Sequence, residues 1–303
     1  MSIVTSARVA GARRVRAIAS LGCVLLSAAA FLGGPGPVRA AATPAADPGQ
    51  LFGVHPVQQG STTLPGGHFN FALLPGRRIV DAIVIENLSS HPLAFHVYGA
   101  DLVTAVGGGL APAQPGTTMH EAGAWIVVAT PALTVDAHTQ FIDTFTLTVP
   151  AVVSTGQHLG AVVAAADAGT TSQGSPIQAR AALIVVVTVP GVARPSAALS
   201  PLTGSTAASG QVVYGITLSN AGNVLVTYTG SVGVESGDGR RIATLTLIPT
   251  SSYVVPGGRV PLTALWKEGP RLSGTYRAQA TVVVLDNGTP CLLYTSPSPR
   301  DCS

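Results

Sequence analysis

The spacing of apolar residues near the start of the folded chain predicts successive β-strands. Apolar side chains stand at every second position of 69–73, which is the period of a half-buried strand. Segment 79–86 is apolar at nearly every position and rich in β-branched residues, as in a strand covered on both faces. Turn residues fill 87–92, and the alternation resumes at Leu93. Three strands with short polar breaks predict the nucleus of an antiparallel β-sandwich.

Strand patterns continue to residue 284 without any sustained helical period. A Pro/Gly hinge at 191–195 separates them into two sets, and a Pro/Ala linker at 41–50 precedes the first. The predicted fold class is all-β, with two tandem Ig-like antiparallel β-sandwich domains at 51–190 and 196–290.

The first forty residues have the pattern of a secretory signal peptide. Four arginines precede an apolar stretch at 17–32, and small residues at Val38 and Ala40 fit cleavage after Ala40. A transmembrane anchor is the competing interpretation, but the apolar stretch is short and interrupted by Ser and Gly. We therefore expect the protein to be exported.

The last residues, 291–303, predict an adapter-derived scar. Cys291 to Asp301 resembles the translation of a transposase-type sequencing adapter, so we do not expect this segment to belong to the natural fold. We expect the natural chain to continue beyond Pro290 with other residues.

Removing both ends changes the chemistry of the chain. Its cysteines are Cys23, Cys291 and Cys302, so the mature natural portion has neither a disulfide scaffold nor a thiolate metal site. The portion from 41 to 290 has ten basic and twelve acidic residues, so its net charge is near −2. This lacks the excess of basic residues expected of a nucleic-acid-binding protein. Residues 41–190 contain three arginines and eight acidic residues, whereas residues 191–290 contain seven basic and four acidic residues. The two predicted domains therefore carry net charges of opposite sign.

Several segments together resemble the WxL-interacting protein family of Gram-positive surfaces. They are F-N-F-x-L-x-P-G from Phe69, D-x-I-x-I-x-N-x-S from Asp81, F-x-V-Y-x-x-D from Phe95, Trp125-Ile126, and G-x-H-x-G-A-V-V ending at Val163. The resemblance implies a peptidoglycan-binding β domain, a second Ig-like domain and a C-terminal transmembrane helix. That helix is absent here, and we expect it to have been lost with the natural 3′ end.

No catalytic or metal-binding constellation stands out. The seven histidines all precede Pro190, with no H-x-H or H-x-x-x-H spacing, and predict neither a metal site nor a cofactor. Carboxylates for glycan hydrolysis would have to come from scattered positions: Asp81, Asp101, Asp136 and Asp143.

Four residues are candidate ligand contacts in the first domain: Tyr98, His96, Asp101 and Trp125. Tyr98 shares a strand face with His96, opposite the apolar set, so it is the better candidate for an exposed aromatic. Trp125 could stack on sugar rings, but a tryptophan in an apolar strand is more often a core residue.

Three functions follow, in order of preference. The first is a non-enzymatic cell-wall-associated surface protein, with domain one binding peptidoglycan or another wall polymer and domain two binding a surface protein. The second is a secreted two-domain chaperone that caps surface subunits by strand donation, which needs an exposed edge strand and a basic cleft between the domains. The third is a secreted cell-wall hydrolase.

Overall fold

The computed structural model describes residues 51–57, 68–170, 173–174, 176–250, 252–270, 274–286 and 289–294. The signal peptide predicted at 1–40, the linker predicted at 41–50 and the last nine residues lie outside them. The fold is all-β, as predicted, with one short 3₁₀ helix at Ala122–Trp125 among the described residues. Those residues contain no helix long and apolar enough to cross a bilayer.

Domain one is a sandwich of two sheets. Its strands are β1 (Phe52–Pro56), β2 (Phe69–Ala72), β3 (Arg78–Asn87), β4 (Leu93–Thr104), β5 (Leu110–Pro112), β6 (Ile126–Val128), β7 (Ala132–Val135), β8 (Gln140–Thr148), β9 (Gly156–Thr170) and β10 (Pro176–Val189). Sheet I has the order β1-β3-β8-β6. Sheet II has the order β2-β10-β9-β4-β5, with β7 also beside β4.

The domain-one core follows from the two-residue alternation of these strands. Phe95 and Val97 of sheet II face Ile85 and Phe145 of sheet I, and each is almost fully buried. Burying one such side chain contributes about 1.5–3 kcal/mol relative to leaving it exposed. This row of apolar side chains holds the two sheets face to face.

Strand β2 does not pair with the strands that follow it. It lies parallel to β10, with Phe69 opposite Val185 and Ala72 opposite Thr188. The turn at Pro75-Gly76, where Gly76 has a φ of 75°, carries the chain across to β3 in sheet I. The strands predicted from 69 to 101 therefore exist, but consecutive ones lie in opposite sheets rather than side by side.

Domain two is a second sandwich. Its strands are β11 (Ala197–Leu199), β12 (Thr203–Thr206), β13 (Val212–Asn220), β14 (Val226–Ser236), β15 (Arg241–Thr246), β16 (Ser252–Val254), β17 (Arg259–Trp266), β18 (Tyr276–Asp286) and β19 (Thr289–Tyr294). In one sheet β13 lies between β17 and the pair β11 and β12; in the other, β14 lies between β18 and the pair β15 and β16. The backbone of β19 pairs antiparallel with β18, so the predicted scar overlaps a strand of the sheet.

A buried asparagine closes the equivalent strand in each domain. Asn87 ends β3, and its Nδ2 donates to the carbonyl oxygens of His91 at 2.8 Å and Val135 at 2.9 Å. Asn220 ends β13, and its Nδ2 donates to the carbonyl oxygens of Val224 at 2.8 Å and Val254 at 2.9 Å. Both asparagine side chains are buried, and each supplies donors to backbone carbonyl groups that would otherwise lack a partner in the fold.

The two domains are joined by hydrogen bonds near the hinge. Asn223 of domain two donates through Nδ2 to the carbonyl oxygens of Thr155 and Val192, each at 3.0 Å. The Leu225 amide donates to Oε1 of Gln157 at 2.7 Å. Further from the hinge, the Val255 amide donates to Oγ1 of Thr104 at 3.1 Å.

Candidate functional site

The four candidate ligand contacts do not form one exposed platform. His96 is exposed and Tyr98 is half-buried on the face of sheet II that points away from the domain-one core, called here the outer face. On that face Ala100 and Leu102 are buried and pack with Val255 of domain two. Leu93, Phe95 and Val97 are buried and His96 is exposed, so the predicted alternation is present in this part of β4. Further along the strand, domain two covers the outer face at Ala100 and Leu102.

Asp101 holds a loop in place. Its Oδ2 accepts hydrogen bonds from the amides of His120 at 2.6 Å and Glu121 at 3.0 Å, and its Oδ1 accepts one from the Gly123 amide at 2.9 Å. A Cβ on Gly123 would stand 2.1 Å from the Ala100 carbonyl carbon, so only glycine fits there. The carboxylate therefore fixes the start of the 3₁₀ helix.

Trp125 is buried at the end of that helix and packs on His158. Their ring centroids are 4.7 Å apart. His158 Nδ1 lies 2.5 Å from Oε2 of Glu121, and its Nε2 lies 3.0 Å from the Ser154 carbonyl oxygen. Because both ring nitrogens face acceptors, only the doubly protonated imidazolium satisfies both. Burial by itself lowers the pKa of His158, but these two hydrogen bonds and the charge of Glu121 outweigh it and raise the pKa above its ordinary 6.5.

A cavity of about 420 Å³ lies between the domains. Domain one contributes Asp101, His120 and Glu121 to its lining, and domain two contributes Arg259. Leu102, Leu159 and Val255 supply apolar wall. With one arginine and two carboxylates, this cavity is not the basic cleft that the chaperone hypothesis expected.

The more distinctive feature is the edge of sheet II at β10. Strand β2 covers only Val185 to Thr188 on that side. Among the described residues no strand pairs with 176–183 on that side, although β9 pairs with the other side of β10 throughout. A strand edge of this kind presents backbone groups that can pair with another chain.

The direction of these backbone groups follows from one hydrogen bond. The Thr188 carbonyl oxygen accepts the Leu73 amide at 3.1 Å, so Thr188 points its backbone groups toward β2. Because consecutive residues of a strand point to opposite sides, Gln178, Arg180 and Ala182 direct their amide and carbonyl groups toward the same, uncovered edge. We call residues 176–183 of β10, with this outward-directed row, the open edge.

Sequence reasoning missed the open edge. Segment 181–189 reads as a fully apolar central strand, and its last part is indeed covered on both sides. The available signal was the preceding part, because Pro176, Gln178 and Arg180 are residues typical of edge strands. Within this one strand, residues typical of an edge strand are followed by residues typical of a central strand.

The described residues contain no grouped metal ligands, and Asp143 is not a free carboxylate. No three His, Cys, Asp or Glu side chains among them form a group that could hold a metal ion. Asp143 is buried, and it accepts the Thr144 amide at 2.9 Å and the Thr130 amide at 3.3 Å, which is the environment of a structural carboxylate. A ligand-contact role for Tyr98, His96, Asp101 and Trp125 stays a prediction.

Comparisons with known proteins give no family assignment. No family model matches the chain, and no curated protein matches it. Solved structures that it is similar to include the CupB2 chaperone of Pseudomonas aeruginosa, with 9% identity over 77% of this chain and 98% of that one and a TM-score of 0.35. A second is the CsuC–CsuE chaperone–tip adhesion subunit pre-assembly complex of Acinetobacter baumannii Csu pili, with 10% identity, 80% and 97% coverage and a TM-score of 0.38. A third is the Salmonella enterica SafA pilin in complex with the SafB chaperone, with 13% identity, 80% and 94% coverage and a TM-score of 0.34.

The resemblance to WxL-interacting proteins is a wrong prediction. No family model matches the chain, and the three solved structures named above contain chaperones rather than wall-binding proteins. Peptidoglycan as the partner, a Gram-positive cell wall as the location and membrane anchoring there were derived from that resemblance and are wrong with it. The motifs behind it are strand and turn patterns, which many β-sandwiches share.

Proposed function

We propose that this chain is an exported, non-enzymatic chaperone that caps surface subunits by pairing the open edge of β10 with a strand of the subunit. Two sandwiches joined by hydrogen bonds near the hinge suit this role, because the second domain then supports the first beside its partner. Pilus chaperones are among the similar solved structures, but the open edge is the observation on which the proposal depends.

Pairing at the open edge has a simple physical basis. Main-chain hydrogen bonds give a partner strand affinity, and pockets for alternate side chains give it specificity. Between the sheets near this edge lie small or partly buried apolar side chains, including Ala181 of β10 and Val54 of β1. Side chains of an added strand would cover them. Since the interdomain cavity is not basic, the strand edge carries the contact.

The proposal is tested by a proline on the open edge. In Ala182→Pro the amide that points outward is lost, while the residues bonded to β9 keep theirs; proline is tolerated at such edge positions. Ala182→Thr is the matched control, since it keeps the amide and suits a strand.

Affinity-tagged wild-type protein, Ala182→Pro and Ala182→Thr are each purified from the exported fraction of the native organism. We expect the wild type and Ala182→Thr to retain an all-β surface subunit stoichiometrically, and Ala182→Pro to retain at least tenfold less. Equal retention by Ala182→Pro with an unchanged urea midpoint would exclude the open edge as the binding site. Failure of the wild type to retain any such subunit would overturn the proposed function.

A further inference from the structure

The open edge carries a single charged side chain. Of residues 176–183, only Arg180 is ionisable, and it is exposed on the outer face of sheet II. Its only hydrogen bond among the described residues joins its guanidinium Nη2 to Oε1 of Gln114 at 3.3 Å, a long contact with a neutral group. Neither of the ion pairs among the described residues includes it.

The acidic residue of the neighbouring strand does not pair with Arg180. Asp167 of β9 is exposed and stands opposite Gln178, two residues along from Arg180, and neither ion pair among the described residues includes it. Apart from the long contact with Gln114, the guanidinium donors of Arg180 have no partner among the described residues, so they are available to a group that arrives from outside.

The backbone direction places this charge in register with a partner. Arg180 belongs to the row whose amide and carbonyl groups point outward, so a strand added at the edge would pair with Arg180 directly. Side chains directly opposite each other on neighbouring strands have Cβ atoms about 4.5–5.5 Å apart. At that distance opposite charges attract and like charges destabilise the pairing.

We propose that Arg180 determines the register and the charge preference of the strand that β10 accepts: a segment with alternating apolar residues and a carboxylate opposite Arg180. This rests on the proposed function and names the chemistry of its partner strand. The inward row of β10, with Ala179, Ala181 and Leu183, takes the apolar side chains of the partner, and Arg180 takes the carboxylate on the outer face.

The same arginine discourages pairing between two copies of this chain. In an antiparallel pair of open edges centred on Arg180, two guanidinium groups would meet. Edge strands commonly carry charges for this reason. A carboxylate-bearing strand is therefore favoured over a second copy.

The test uses two synthetic peptides that read the same in both directions, so that the strand orientation need not be known. They are Thr-Val-Thr-Val-Glu-Val-Thr-Val-Thr and its counterpart with Lys at the centre, capped at both ends. Nine residues span 176–184 with the central one opposite Arg180. Binding is measured by fluorescence anisotropy to the wild type, Arg180→Glu, Arg180→Ala and Ala182→Pro.

We expect the wild type to bind the Glu peptide about three- to tenfold more tightly than the Lys peptide. Arg180→Glu reverses that order, Arg180→Ala removes the preference, and Ala182→Pro loses both peptides. Equal binding of both peptides to the wild type and to Arg180→Glu would overturn the role of Arg180 while leaving strand capture intact. If neither peptide binds the wild type, strand capture at β10 fails, and the role of Arg180 fails with it.

Discussion

Replacing Asp101 by Asn tests whether this carboxylate holds the loop before the 3₁₀ helix. It accepts three backbone amide hydrogen bonds, at 2.6, 3.0 and 2.9 Å, in a site where its side chain is buried. An asparagine keeps most bonds when its oxygen faces the amides of His120 and Glu121, but its NH₂ group then faces the Gly123 amide. One hydrogen bond to a charged acceptor, which contributes about 1.5–3 kcal/mol, is replaced by opposed donors, and each of the two retained bonds weakens by about 1 kcal/mol because its acceptor is now neutral.

The expected destabilisation for Asp101→Asn is therefore about 3–6 kcal/mol, a large share of the stability of a typical domain. Urea unfolding followed by circular dichroism measures it, and near-ultraviolet dichroism reports the packing of Trp125 on His158. Asp101→Ala is the comparison, since it removes the acceptors without adding donors. A loss below about 1 kcal/mol with an unchanged near-ultraviolet spectrum would refute the structural role and leave ligand contact as the better interpretation.

Three further predictions concern other parts of the molecule. The folded-state pKa of His158 is raised, so its contribution to stability is complete below the unfolded value of 6.5 and is lost as pH rises through the folded value. We expect the urea midpoint of the wild type to fall between pH 6 and pH 8. A fall just as steep in His158→Gln would contradict this. Asn87→Ala and Asn220→Ala should each lower the free energy of unfolding by about 2–4 kcal/mol, because buried carbonyl groups lose their donors; urea denaturation showing less than 1 kcal/mol for either would count against the shared role. Arg180→Val should increase the dimer fraction in sedimentation velocity relative to the wild type at equal concentration, and Ala182→Pro added to it should reverse the increase; an unchanged fraction in Arg180→Val would contradict the protective role of the charge.

The strands with clear alternation could be predicted from the sequence, since burial on one face imposes the pattern. Apolar and polar side chains alternate along β8, β13 and β17, so these strands can be read from the sequence. The short strands β5, β7 and β16 have no such signal, because three or four residues are too few to display a period.

Which strands pair with each other could not be predicted from the sequence in the same way. The parallel pairing of β2 with β10 joins segments far apart in the sequence, and no local signal specifies it. The role of Asp101 depends on amides at 120–123, which a loop returns to β4. The sequence singled out Asp101 as a candidate ligand contact, but only the fold shows that its carboxylate already accepts hydrogen bonds from backbone amides.

The open edge was foreseeable in part. An Arg and a Gln within an otherwise apolar strand indicate an exposed edge, but only the length of β2 shows where the covered part of β10 begins. The first-ranked function, a wall-binding surface protein, was wrong because the strand and turn motifs were assigned to one family of β-sandwiches, whereas the second-ranked function was a two-domain chaperone. The charge of the interdomain cavity could not be read from the sequence, since its lining comes from five separate segments of the chain.

Hydrogen exchange of the β10 amides, measured with and without a captured subunit, tests strand capture at the open edge most directly. In the free protein the amides of Ala179, Ala181 and Leu183 should exchange slowly, because they point toward β9, while those of Gln178, Arg180 and Ala182 exchange fast. On binding, we expect the second set to become protected. A subunit that binds with these three amides still exchanging at their free rate would contradict strand pairing at β10.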